Sequence, residues 1–138
     1  MKNTQVYADQ YQFLNGFKVL LVDNSADCVE YAKTVLQEFG ISVKVASSVR
    51  EALDIIANEK IDCLISEIAI SIEDGYSLIH KIRMWEKYQN LQPIPAIALT
   101  AYCTKKGCFS ALNAGYQVYT TKPIYPSDLL NCIAYLAR

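Results

Sequence analysis

The most constraining feature of this chain is an alternation between short apolar runs and longer stripes of helical spacing. Residues 17–22 (FKVLLV) are apolar almost throughout, as a strand covered on both faces requires. Cys28, Val29, Ala32, Val35, Leu36 and Phe39 then recur three and four apart and give one apolar helical stripe. Ser25 stands before it as an N-cap, and Gly40 follows it where a left-handed stop belongs. Residues 41–46 read as a second strand. Ser48 and Glu51 form a capping box that opens a helix with Val49, Ala52, Leu53 and Ile56 inward. Residues 61–66, 94–99 and 116–120 are the remaining strands, with Pro95 confined to the start of the fourth. Helices are expected over 75–88 (burying Leu78, Ile79, Ile82 and Trp85), over 104–114 with Gly115 as the stop, and over 126–137.

Five strands alternating with five helices imply a parallel sheet, because parallel strands need crossovers and right-handed crossovers place helices on both faces. The expected class is α/β, a doubly wound sheet in one domain over residues 17–138. Residues 1–16 are set apart as an N-terminal extension or linker. They are polar, with Tyr7, Tyr11 and Leu14 able to share one helical face. A frayed tail is the simpler expectation for them, and a docked helix the alternative.

Composition narrows the function. Thirteen basic residues face fourteen acidic ones, a net charge of −1, so nothing draws the chain to nucleic acid or anionic lipid. No apolar run is long enough to span a bilayer. Five scattered cysteines form neither a disulfide framework nor a metal motif, and His80 has no ligand spacing to them. A reducing, cytoplasmic setting is the simplest expectation.

A doubly wound sheet carries its site outside the carboxyl ends of the strands. Strand one ends in Asp23 and Asn24, strand three in Ser66 and Glu67, strand four in Thr100 and Ala101, and strand five runs into Lys122 and Pro123. Carboxylates that could hold a hard cation thus share a rim with an ammonium and a hydroxyl that could hold an anion. No GxGxxG or Walker loop is present, and the acidic turn after strand one would repel a phosphate. Asp62 falls at the opposite end of the sheet. Asp74 reads as a cap, and His80 as a solvated side chain.

These residues resemble a receiver domain, the phosphoryl-accepting module of two-component signalling. The motifs are Val22-Asp23-Asn24, the stretch from Glu67 to Gly75, Ala98-Leu99-Thr100-Ala101 and Lys122-Pro123, and the likeness is strongest to C-terminal receivers of hybrid histidine kinases. The resemblance implies a flavodoxin-like (βα)5 sandwich with strand order 2-1-3-4-5. It also implies two acidic residues that bind magnesium, a phosphoacceptor aspartate after strand three, and a threonine and lysine that gather on the phosphoryl group. An aromatic residue, here Tyr119, turns inward when they do.

Three positions depart from the pattern. Glu67 occupies the phosphoacceptor position, eight residues before Gly75; Asn24 replaces the second acidic residue; Ser71 replaces a proline. The extra methylene of Glu67 moves its carboxylate outward by about 1.5 Å, one C–C bond. In-line phosphoryl transfer depends on positioning, and an error of about 1 Å can cost roughly a hundredfold. Asn24 removes a carboxylate that magnesium would use, so no metal, or only weak magnesium at Asp23 and Glu67, is expected. The resulting expectation is a non-enzymatic pseudo-receiver: a phosphorylation-independent module in which Lys122 and Thr100 hold Glu67. The implied partner is a protein, a histidine kinase or a downstream signalling protein, bound through helix four, strand five and helix five, with a homodimer also open. Tyr102, Lys105, Lys106, Phe109, Tyr119 and Tyr125 are candidates for that face. A residually active receiver is the first alternative; a thiol redox sensor using Cys103 and Cys108 is the second.

Overall fold

The structure is a computed structural model and describes residues 10–69, 75–101, 104–122 and 124–137. Five strands and five helices alternate: β1 (Lys18–Val22), α1 (Ala26–Glu38), β2 (Ser42–Ala46), α2 (Val49–Asn58), β3 (Cys63–Glu67), α3 (Gly75–Gln89), β4 (Ala96–Thr100), α4 (Lys105–Ala114), β5 (Val118–Thr121) and α5 (Pro126–Ala137). All pairings are parallel, and the sheet order is β2-β1-β3-β4-β5. The expected flavodoxin-like architecture is the observed one.

Strand alternation sends one set of side chains to each face. Val19, Leu21, Ile65, Ile97 and Leu99 join α1 and α5 in one core; Leu20, Val22, Leu64, Ala96 and Ala98 join α2, α3 and α4 in the other. Both β3 and β4 are buried along their whole length, which is why their sequences show no polar alternation. The register brings Val22 beside Ser66, Glu67 beside Leu99, and Thr100 beside Thr121, so the carboxyl ends finish level at one rim.

Several boundaries move by one or two residues. The third strand runs over Cys63–Glu67 rather than 61–66, so residue 67 is paired within the sheet. Thr104 is the N-cap of α4, its hydroxyl accepting from the Gly107 N–H at 2.8 Å; Gly107 therefore lies in the first turn, not the helix interior. The capping box of α2 is half as expected. Ser48 Oγ accepts from Glu51 N at 3.2 Å, but Glu51 returns its bonds to Ser47, whose N–H and hydroxyl hold that carboxyl below its ordinary pKa.

The expected frayed head does not describe residues 10–16. Tyr11 and Leu14 are buried in the α1/α5 core, around a short 3-10 turn at Gln12–Leu14. The Tyr11 hydroxyl donates to Asn131 of α5, and its ring meets Phe39 edge-on at 5.9 Å. Val6 and Tyr7 lie outside the described residues, as do Ser71 and Asp74. On α3 the expected order of burial is altered. Trp85 is half-buried, and Glu86 takes the inward place at 3% exposure. It accepts from Ile94 N at 2.6 Å and from Arg83 at 2.8 Å, and Arg83 also donates to the Gly115 carbonyl. This clamp ties α3, β4 and the α4–β5 turn at the end of the sheet away from the rim.

Gly75 opens α3 where the chain passes closest to the rim. A Cβ there would lie 2.8 Å from Ile68 Cα and 2.9 Å from both the Glu67 carbonyl and the Tyr116 hydroxyl, which itself donates to the Gly75 carbonyl at 2.8 Å. Backbone cannot step aside as a flexible side chain can. Gly75→Ala is expected to destabilise the domain by about 2 kcal/mol, the cost of overpacking a close approach. Thermal unfolding checks this; an unchanged melting temperature would mean that α3 has slack against β3.

Candidate functional site

The rim is assembled from three strand ends. Asp23 follows β1, and its backbone N–H donates to Ala46 O at 3.0 Å. Its side chain is 2% exposed, and Oδ1 accepts from the Ser25 N–H at 2.9 Å. Glu67 ends β3 at 7% exposure, and its Oε2 accepts from the Ala69 N–H at 3.1 Å. Lys122 follows β5, anchored by its N–H to Thr100 O at 2.7 Å. From there its Nζ reaches Asp23 Oδ2 and Glu67 Oε1, both at 2.8 Å.

Asp23, Glu67 and Lys122, expected at one rim, therefore meet. Two carboxylates share one ammonium, and each of their four oxygens accepts a hydrogen bond. Burial works against the charge on Lys122, but hydrogen bonds and charge from Asp23 and Glu67 outweigh it and raise its pKa above the ordinary lysine value. A lysine whose folded pKa is raised adds stability that is complete below its unfolded pKa and lost only as pH rises through the folded one. The bridge is thus intact across the neutral range.

Thr100 is buried at the end of β4, one step beyond Leu99, the strand partner of Glu67. Asn24 is exposed. Tyr119 is half-buried and packs on the α2/α3/α4 core. Its hydroxyl lies 2.8 Å from where a Cβ of Gly107 would stand, so the ring is tucked beneath the first turn of α4. That contact explains a glycine in a helix that gains nothing from it. Lys105, Lys106, Phe109 and Tyr125 are exposed, while Tyr102, Cys103 and Pro123 lie outside the described residues. His80 is exposed, and Asp62 accepts from Lys18 N at 2.8 Å at the far end of the sheet.

Asp23 and Glu67 are the carboxylates that the rim offers to a magnesium ion. That ion is held through carboxylates in near-ideal octahedral geometry. Here both carboxylates already neutralise an ammonium, and the next candidate donor is the amide of Asn24. Among the described residues no group of three or more histidine, cysteine or acidic side chains is placed to hold a metal.

Cys28, Cys63, Cys108 and Cys132 are free thiols. Burial, then Cys132 and Asp62, pushes Cys63 up to about 12; burial and then Asp128 raise Cys132. Neither is a ready thiolate. No helix among the described residues is long and apolar enough to cross a membrane.

Comparison with known proteins agrees with this geometry. The family described as "Response regulator receiver domain" matches residues 19–134. The "Uncharacterized 14.6 kDa protein in sodA1 3'region" of Leptolyngbya boryana is 34% identical over 88% of this chain and 91% of its own length. The "Probable transcriptional regulator ycf29" of Porphyra purpurea is 32% identical over 88% of this chain, which spans only 56% of that protein. Receivers within sensor histidine kinases are also among the relatives. Among solved structures, chemotaxis protein CheY4 of Vibrio cholerae superposes with a TM-score of 0.79 at 26% identity, covering 87% of this chain and 98% of that one. The chain belongs to the response regulator receiver family of two-component signalling.

Proposed function

We propose that this receiver is a phosphorylation-independent module that signals through protein contact, with Glu67 standing permanently where a phosphoryl group would be placed. One observation carries the reading: Lys122 Nζ is 2.8 Å from the carboxylate of a nearly buried Glu67. The lysine that would meet an incoming phosphoryl group is already neutralised. Asp23, which would help hold the metal, shares the same ammonium. The imitation is incomplete, since a carboxylate carries one charge against roughly −1.5 to −2 for a phosphoryl group. The packing of Tyr119 beneath the first turn of α4 supports the same reading, since the family resemblance implies an aromatic residue on β5 that turns inward.

The partner is a histidine kinase or a downstream signalling protein in the cytoplasm, bound through the α4–β5–α5 face, which a second copy could also use. Phe109 at 70% exposure and Tyr125 at 69% give that face the aromatic character of a protein interface, with Lys105 and Lys106 exposed beside them. No catalytic residue is assigned.

Incubation with acetyl phosphate and magnesium, followed by intact-mass measurement, tests the proposal. The expected result is no phosphoryl adduct on the natural chain. A stoichiometric adduct that disappears in Glu67→Gln would establish an active receiver instead.

A further inference from the structure

The net charge of −1 conceals a division of charge between the two sides of the sheet. On one side α1 and α5 expose Asp27, Glu30, Glu38 and Asp128, and Lys33 of α1 is half-buried. On the other, α3 and α4 expose Lys81, Lys87, Lys105 and Lys106. The acidic residue within those two helices, Glu86, is buried and pairs with Arg83 at 2.8 Å. Neither helix exposes a carboxylate.

The lysines border apolar side chains that face water. Met84 and Tyr88 stand four apart on α3, Phe109 and Leu112 three apart on α4, and all four are exposed. Lys81 and Lys87 lie three residues either side of Met84, and Lys105 lies four before Phe109, so charge and apolar surface share the same helical stripes. The two helices pack side by side, with Arg83 of α3 donating to the Gly115 carbonyl that follows α4 at 3.1 and 2.9 Å. Apolar side chains spaced along two neighbouring helices suit a third helix laid against them, and the lysines beside them call for carboxylates on it. The phosphates of a nucleic acid would leave Met84 and Leu112 without an apolar partner. The net charge of −1 gives an anionic bilayer no long-range hold on the chain.

We propose that the α3–α4 surface is a docking site for an acidic amphipathic helix of a partner protein. The proposal rests on the reading of this receiver as a protein-contact module, but not on the state of Glu67. It shares α4 with the face described above and extends toward α3 instead of β5.

The probe is a fluorescein-labelled peptide of about 18 residues, five helical turns, with leucines on one face and glutamates on the other. Titrated into the full chain and read by anisotropy, it is expected to bind saturably. A peptide of the same composition scrambled out of helical register should bind about tenfold more weakly or less. The pair Lys105→Glu and Lys106→Glu, and separately Lys87→Glu, should each weaken the peptide about tenfold. Glutamate in the first turn of α4 suits the helix dipole, so that loss cannot come from a weakened helix. Phe109→Ala should weaken it several-fold, while Tyr125→Ala and Glu67→Gln should stay within about twofold. Vesicles of phosphatidylserine and phosphatidylcholine are expected not to sediment the chain. Absence of saturable binding, equal affinity for the scrambled peptide, or affinity unchanged in Lys87→Glu would each overturn the proposal. A loss in Tyr125→Ala as large as in Phe109→Ala would place the peptide on the other face of α4 and overturn it too. Vesicle binding that disappears in the Lys105→Glu and Lys106→Glu pair would assign the surface to a bilayer instead.

Discussion

Lys122→Met is expected to lower the unfolding free energy by about 3 kcal/mol, the cost of removing one partner from a buried ion pair. Methionine keeps the stem but removes the ammonium that lies 2.8 Å from both Asp23 and Glu67. Two like charges at 2% and 7% exposure are then left close together without their shared cation. Such a pair cannot remain fully ionised, and one carboxyl takes up a proton. The folded variant therefore binds more protons than the unfolded chain, so its stability falls as pH rises through the acid range. Thermal melts near pH 5 and pH 7.5 should show the deficit shrinking at the lower pH. A second change, Glu67→Gln, removes one of the stranded charges and should restore a substantial part of the loss at neutral pH. A loss equal at both pH values, without recovery in the double variant, would mean the lysine acts only through packing.

Asn24→Asp combined with Glu67→Asp is expected to raise phosphoryl acceptance well above that of the natural chain. Shortening residue 67 withdraws its carboxylate by about 1.5 Å, one C–C bond, and frees Lys122 for an incoming anion. Asp at position 24 restores a carboxylate to a rim whose two present ones are engaged with that lysine. Since an error of about 1 Å can cost roughly a hundredfold, labelling by acetyl phosphate should rise by about that factor. Magnesium, measured by calorimetric titration, should bind the double variant and bind the natural chain weakly or not at all. Equal metal affinity in the two proteins would refute the charge-count explanation of the site.

The sequence made the sheet legible because β1, β3 and β4 are buried almost throughout and so read as apolar runs with polar residues only at their ends. It also located Glu67, through its spacing from Gly75, and placed Lys122 and Asp23 at the same rim. That one ammonium serves both carboxylates was not legible, because the angles at which strand ends converge are not written in spacing. The backbone donors at Ser25 and Ala69 carry no side-chain signature at all. Glu86 shows a further limit. A glutamate on a helix reads as solvated, and only its partner three residues earlier, Arg83, hints at burial. For Tyr11 and Leu14 the sequence offers docking only as the alternative to a frayed tail, because the 3-10 turn through which they dock is too short for a periodic stripe.

The most direct measurement is a double-mutant cycle between positions 67 and 122, using Glu67→Gln and Lys122→Met, read by chemical unfolding at neutral pH. A coupling free energy of about 1.5–3 kcal/mol is expected for a close, largely desolvated pair. A coupling below about 0.5 kcal/mol, within ordinary additivity, would mean that Glu67 and Lys122 are neighbours without being held to one another.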